Sequence, residues 1–260
     1  MSSLAYAWRD SNTMLRRQLK RIVRYPSMIV YLTVMPIVFL LLFVYVFGGT
    51  LGAGMGGDRS DYANYVTPGI LLIAVAGVAA GAAITVAMDM TEGIVARFRT
   101  MAIYRPSVLT GHVLGNLIQG VVGLALVIGV ALLVGFRPNA NFVEWLGAAG
   151  ILALITLAVT WLGVLCGLVS KSVETASNLP MPLTLLPFLG SGFVPTDSMP
   201  KAIAWFAEYQ PFTPIMETLR GLLFGTAIGN SGLLAVGWCA VITVGSYVWA
   251  KKLYNRDPAS

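Results

Sequence analysis

Residues Thr91 to Asn116 read TEGIVARFRTMAIYRPSVLTGHVLGN, and they interrupt an otherwise uncharged run. From Pro68 to Met88 there is no ionisable side chain, and from Val113 to Phe136 there is none either. Within the quoted stretch stand a glutamate, three arginines and the chain's only histidine. Each flanking stretch is long enough to cross a hydrocarbon layer about 30 Å thick as a helix. The charged interruption therefore reads as a turn outside the lipid, and the fold depends on how many such crossings the chain contains.

Composition agrees with this class. Apolar residues make up 57% of the chain and charged ones only 11%, with a mean hydropathy of +0.79, which is far from soluble averages and typical of an integral membrane protein. Apolar windows fall at 28–48, 68–88, 112–135, 145–169, 178–194 and 231–250. Six crossings place both termini on one side. That side carries Arg9, Arg16, Arg17, Lys20, Arg21 and Arg24, the quoted Arg97, Arg99 and Arg105, then Lys171, Lys251, Lys252 and Arg256. Only Arg59, Arg137, Lys201 and Arg220 fall on the other. The positive-inside rule makes the first side cytoplasmic, so the protein is expected in the cell membrane with both termini inside. The net charge of +6 then reflects orientation and lipid contact rather than nucleic acid.

The expected organisation is a single domain, 1–260: an amphipathic helix over 1–25, a six-span bundle over 28–250, and a cytoplasmic tail over 251–260. About twenty-five residues, many of them polar, precede the first apolar run, which is not the pattern of a cleaved signal peptide. On a helical wheel Leu4, Trp8, Leu15, Leu19, Ile22 and Val23 share one arc, and Arg9, Arg16, Arg17, Lys20, Arg21 and Arg24 occupy the opposite one. That segregation suits a helix in the inner headgroup layer with its basic face toward anionic lipid. Topogenic charge alone would not require it.

The fifth window contains Pro180, Pro182, Pro187 and Pro195, so its helix must be short or kinked, because each internal proline removes a donor and clashes one turn back. Thr196 to Gly225 is apolar and aromatic yet interrupted by three prolines and five charges. It is too broken to cross lipid and too apolar for a free loop. A re-entrant or interfacial helical hairpin on the outer side fits both properties, with Trp205, Phe206, Tyr209 and Phe212 as an aromatic cap at the outer boundary.

Catalytic chemistry is hard to place. Charged residues within the windows would suggest an ion path, but Asp89 and Glu144 sit only at span ends. His112 stands alone at a membrane boundary and reads as a packing or headgroup contact. No metal-ligand spacing, phosphate-binding Walker sequence or nucleophile elbow occurs. Cys166 and Cys239 lie in apolar runs and read as packed thiols, while Gly77 and Gly81 read as a helix-packing pair. A channel or ion-coupled transporter has only the proline-rich fifth window in its favour.

Two segments carry a family resemblance. GIVARFRTMAIYRPSVLTGHVLGN (Gly93 to Asn116), following MDMTE, is similar to the cytoplasmic loop of the daunorubicin-resistance type of permease in the second class of ATP-binding-cassette (ABC) exporters. GSGFVPTDSMPKAIAWFAEYQPFTPIMETLRGLLFG (Gly190 to Gly225) resembles that family's outer signature, with its F-V-P, M-P, aromatic-Pro-Thr-Pro and L-R-x-L-x-x-G elements in order. The resemblance covers essentially the whole chain. It implies an all-α polytopic fold: six transmembrane helices, the amphipathic interfacial helix (Trp8, Arg16, Arg17, Lys20, Arg21), a cytoplasmic coupling helix and the outer re-entrant hairpin. The coupling helix would begin near Thr91 and dock on a separately encoded ATPase through Glu92, Gly93, Ile94, Arg97, Phe98, Arg99 and Met101. Glu92 would sit favourably at its N-terminus. The bland alternative for this segment is a helix lying on the bilayer with its arginines on phosphates. The resemblance further implies two ATPase copies, a second permease subunit, and an amphiphilic drug, antibiotic or lipid-like substrate. ATP and magnesium would sit on the ATPase, so this chain would bind no cofactor and catalyse no reaction.

Overall fold

The computed structural model describes residues 3–24, 26–54, 57–94, 106–193 and 199–254. All regular structure among them is helical. An N-terminal helix α1 (Ser3–Arg24) leads into α2 (Ser27–Leu41), which continues through a π-helical turn (Leu42–Phe47) into α3 (Gly48–Gly54). Next come α4 (Arg59–Thr91), α5 (Pro106–Val134) and α6 (Phe142–Val169). The short α7 (Val173–Asn178) and α8 (Met181–Leu185) precede α9 (Lys201–Tyr209), α10 (Phe212–Phe224) and α11 (Ser231–Tyr254).

Five stretches are long and apolar enough to cross a membrane: Leu32–Gly54, Arg59–Thr91, Ser107–Val134, Phe142–Val169 and Ser231–Tyr254. The fifth of the six expected crossings is not a continuous helix. It breaks into α7, α8 and a 3-10 turn (Leu186–Leu189), because Pro180, Pro182 and Pro187 each remove a ladder donor. Aromatic contacts hold this broken segment on the first span: Phe188 stacks on Phe193 with ring centroids 4.8 Å apart and meets Phe39 of α2 edge-on at 5.6 Å, and Phe193 lies tilted 4.7 Å from Phe43 in the π-helical turn. After it, α9 and α10 form a pair joined at Gln210–Pro211. The 13 residues of α10 span only about 20 Å, too short for a crossing.

The axis of the bundle is α4, most of which is buried, whereas α2, α5 and α11 turn large apolar side chains outward. Its 33 residues extend about 50 Å, so both its ends project past a hydrocarbon layer of about 30 Å. At the first end Asp58 caps the helix, accepting from Ser60 N and Asp61 N at 2.7 and 3.0 Å, while Asp61 accepts from Asp58 N. Asn141 and Glu144 form the same reciprocal cap at the start of α6, satisfying donors the helix cannot.

Backbone contact fixes how α6 lies on α4. A Cβ on Gly163 would meet Ala79 O at 2.3 Å, and one on Gly167 would meet Ala83 O at 2.6 Å. Small residues four apart on both helices thus let the chains touch without side chains between them. Gly77, expected as a packing residue, meets only Leu32 at an ordinary 3.6 Å.

Charge is sorted by end. Arg137 N donates to Asn64 Oδ1, and Arg220 Nη2 donates to Tyr65 O, which places both with Arg59 at the first end of α4. At the far end Tyr254, beside Lys251 and Lys252, packs with Val86, Val108 and Leu109. Among the described residues, Arg137 and Arg220 thus gather at the end of α4 that Arg59 begins, away from Lys251 and Lys252.

Gly163→Ala should destabilise the bundle by about 1–3 kcal/mol through overpacking against α4 backbone. Gly150→Ala, where a Cβ meets nothing within 4 Å, should leave detergent-solution unfolding unchanged or slightly raise it.

Candidate functional site

At the basic end of the bundle the helix α1 does not stand apart from the spans. Met14 and Gln18 pack against Gly111 and Gly115 of α5, so closely that a Cβ on either glycine would fall 2.6 or 2.7 Å from the α1 side chain. The sequence GHVLG thus forms a two-glycine landing site, and α1 runs alongside the first turns of α5. Trp8 and Val23 remain about 80% exposed, as their apolar arc requires. The third face of α1 carries Arg16, Lys20 and Arg24, all exposed.

Arg17 and Arg21 depart from the expectation that they join this basic face toward lipid. Both turn inward to Asp89, near the end of α4: Arg17 Nη2 donates to Oδ2 at 2.8 Å and Arg21 Nη1 to Oδ1 at 3.2 Å. Asp89 itself is 1% exposed. A carboxylate so buried requires partners for both oxygens, and one arginine serves each. His112 completes the arrangement, with Nε2 3.1 Å from Asp89 Oδ2 and Nδ1 2.7 Å from Gln18 Nε2. Donation by the Gln18 amide to Nδ1 leaves the ring proton on Nε2, aimed at the carboxylate. Asn116 Nδ2 donates to His112 O at 2.8 Å and approaches Thr85 Oγ1 at 3.5 Å. The cluster ties α1, α4 and α5 together within one turn of the segment that opened the sequence.

Sequence reasoning saw Asp89 and His112 separately, each at a span end. Their spacing gave no sign that Arg17 and Arg21, nearly 70 positions earlier, would meet them. The signal available was a lone aspartate ending an uncharged span, which needs a cation nearby.

Past Asp89, α4 ends. Glu92 N donates to Met88 O at 2.9 Å, and Gly93 takes a left-handed φ of +70°, the backbone that glycine adopts after a helix terminus. Glu92 therefore closes the C-terminal end of α4, two positions before Ile94, where helical backbone resumes; the coupling helix expected beyond it lies outside the described residues. The side chains of Glu92 and Ile94 are exposed and half-buried. Arg97, Phe98, Arg99 and Met101 lie outside the described residues.

The α9–α10 hairpin divides the expected aromatic cap. Trp205, Phe206 and Tyr209 are exposed on α9, but Phe212 is 1% exposed. It begins an inward row on α10 with Ile215, Met216, Leu219 and Leu223, the spacing of a buried helical face, and so belongs to the core. Arg220 was not anticipated as structural. Its guanidinium stacks 4.0 Å from the Tyr65 ring centroid and donates to Ser191 O at 2.6 Å, while Tyr65 Oη donates to the same carbonyl at 2.9 Å. One side chain thereby fixes α10, the broken fifth segment and the start of α4.

The profile of the ABC-2 type transporter family matches residues 10–224. The chain belongs to that family. It is 28% identical over 235 residues to the daunorubicin resistance ABC transporter permease protein DrrB1 of Streptomyces coeruleorubidus, covering 90% of this chain and 80% of that relative. It is 25% identical over 175 residues to the probable doxorubicin resistance ABC transporter permease protein DrrC of Mycobacterium tuberculosis, covering 64% of this chain and 63% of that relative. The protein is thus a multi-pass membrane subunit of an ABC transporter, and the Asp89 cluster lies inside the matched region.

Asp89→Asn should lower stability in detergent by about 1–3 kcal/mol, since the charge-assisted hydrogen bonds to the part-exposed Arg17 and Arg21 are lost. Trypsin should then cut α1 faster at Arg17 and Arg21. An unchanged cleavage pattern would mean that the ion pairs do not hold α1.

Proposed function

We propose that this chain is the permease half of an exporter that moves an amphiphilic drug, antibiotic or lipid-like molecule out of the cell, driven by a separate ATPase. The drug resistance for which the two relatives are named, to daunorubicin and doxorubicin, supports the substrate class. The observation that carries the coupling role is the junction at Thr91–Ile94. The most buried helix of the bundle ends there, is tied to α1 by Asp89, and turns at Gly93 into the segment connecting α4 to α5.

In this reading residues 94–101 dock on the ATPase, with Phe98 as anchor between Arg97 and Arg99. A push there reaches α4 directly and α1 through Arg17 and Arg21. Two ATPase copies and a second permease subunit, identical or paralogous, complete the assembly, because the pathway forms between subunits. ATP and magnesium stay on the ATPase, and this chain catalyses nothing. The basic end of the bundle faces the cytoplasm, with both termini, by the positive-inside rule.

Phe98→Ala should weaken ATPase docking by about 2 kcal/mol or more, roughly 30-fold, as expected for a buried aromatic anchor. Binding of a cognate ABC ATPase to cytoplasmic-face-out vesicles measures this, and right-side-out vesicles should not bind at all. Wild-type docking by Phe98→Ala would support the bilayer-surface role for the segment, and binding to right-side-out vesicles would reverse the orientation.

A further inference from the structure

His112 is the chain's only histidine, and it is 2% exposed. It directly follows Gly111, so it stands in the seat of α1 on α5. Imidazole is the side chain whose ordinary titration falls between about pH 5 and 8. A proton gained or lost by a buried ring acts on whatever surrounds it.

Both ring nitrogens face other helices. Nε2 lies 3.1 Å from Asp89 Oδ2 on α4, and a carboxylate oxygen accepts only. The Gln18 amide nitrogen on α1 lies 2.7 Å from Nδ1 and 3.3 Å from Nε2, and an amide nitrogen donates only. With one ring proton, on Nε2, the two shorter contacts each pair a donor with an acceptor. A second proton would go to Nδ1 and face the amide N–H groups. Relief then requires the Gln18 amide to turn over or α1 to back away, and Gln18 is 5% exposed and packed on Gly115.

Charge decides between those two responses. Arg17 and Arg21 of α1 already share Asp89, so an imidazolium would be the third cation on one carboxylate. The cleft beside the cluster carries Arg16, Lys20 and Arg24 as well, with Glu92 at the end of α4 as its other carboxylate. Asp10 lies two helical turns before Gln18 on α1. From α11, Lys251 and Lys252 flank Tyr254, which packs on Val108 and Leu109 of α5. On α5 itself the neutral Asn116 bonds to His112 O. Like charges repel strongly where water is excluded, and two of the three cations crowded at Asp89 belong to α1. Moving α1 away relieves both the repulsion and the clash of donors.

We propose that His112 is a proton-operated latch for α1: the neutral ring joins Gln18 to Asp89, and protonation releases α1 from α5 while the other helices stay packed. In the exporter reading, coupling through α1 would then weaken as the cytoplasm acidifies. The latch itself does not depend on that reading.

Hydrogen–deuterium exchange of the detergent-purified full chain, corrected for the intrinsic effect of pH on amide exchange, tests this between about pH 8 and 5. Protection of residues 14–22 should fall several-fold on acidification, while α6, which contributes no member of the cluster, keeps its protection. His112→Gln can offer an N–H to Asp89 and an oxygen to Gln18 without titrating, so its α1 should stay protected across the range. Arg17→Gln removes one competing cation and should shrink the acid effect, which a merely structural histidine would not show. A flat wild-type profile, an acid loss that persists in His112→Gln, or protection that rises on acidification would overturn the proposal. Parallel loss in α6 would show acid unfolding of the whole bundle and would overturn it equally.

Discussion

The carboxylate of Asp89 is buried where α1, α4 and α5 meet, and the arrangement of that end of the bundle follows from satisfying it. Desolvating a charge is expensive unless opposite charge and hydrogen bonds replace the lost water. Here Arg17, Arg21 and His112 do so, at 2.8, 3.2 and 3.1 Å. All three come from helices other than the one that bears the aspartate. The consequence is mechanical: α1 cannot rotate or withdraw without exposing Asp89 or stripping it of partners. The close seat of Met14 and Gln18 on Gly111 and Gly115 makes the same demand through shape.

A similar logic applies at the opposite end, with different chemistry. Arg220 engages backbone carbonyls, the Ser191 hydroxyl and an aromatic face, and it gathers α10, the turn at Ser191–Gly192 and the start of α4. Between these two polar joints the bundle is held by close packing, with Gly163 and Gly167 of α6 against Ala79 and Ala83. Contact of that kind has little tolerance for intermediate positions, so displacement of α4 at the basic end carries its neighbours with it. In the function proposed above, a push on residues 94–101 would be passed to the spans by this central helix, clamped at Asp89 close to that segment.

Much of this was legible from the sequence because lipid imposes strong rules. Uncharged windows marked the continuous helices, prolines marked the break between α7 and the 3-10 turn, and the lysine and arginine asymmetry marked the two ends. The caps at Asp58 and Asn141 also have readable spacings. What the sequence did not reveal were pairings distant in the chain. Arg17 and Arg21 looked like lipid-facing charges because a helical wheel separates polar from apolar residues but cannot divide a polar arc between protein and solvent. Phe212 looked like its exposed aromatic neighbours, although the row from Phe212 to Leu223 carried the period of a buried face. The helix α4 also runs past the apolar window read from the sequence, through Asp89 to Thr91, where Arg17 and Arg21 satisfy the aspartate.

The central claim is that Asp89 and the two arginines act as one joint. A double-mutant cycle combining Asp89→Asn with Arg17→Gln and Arg21→Gln, read by unfolding in detergent, measures that coupling directly. Partners in one buried network couple by about 0.5–3 kcal/mol, and the upper part of that range is expected here, with the combined variant no less stable than Asp89→Asn alone. Additive losses, with no coupling between the aspartate and the arginines, would contradict the account.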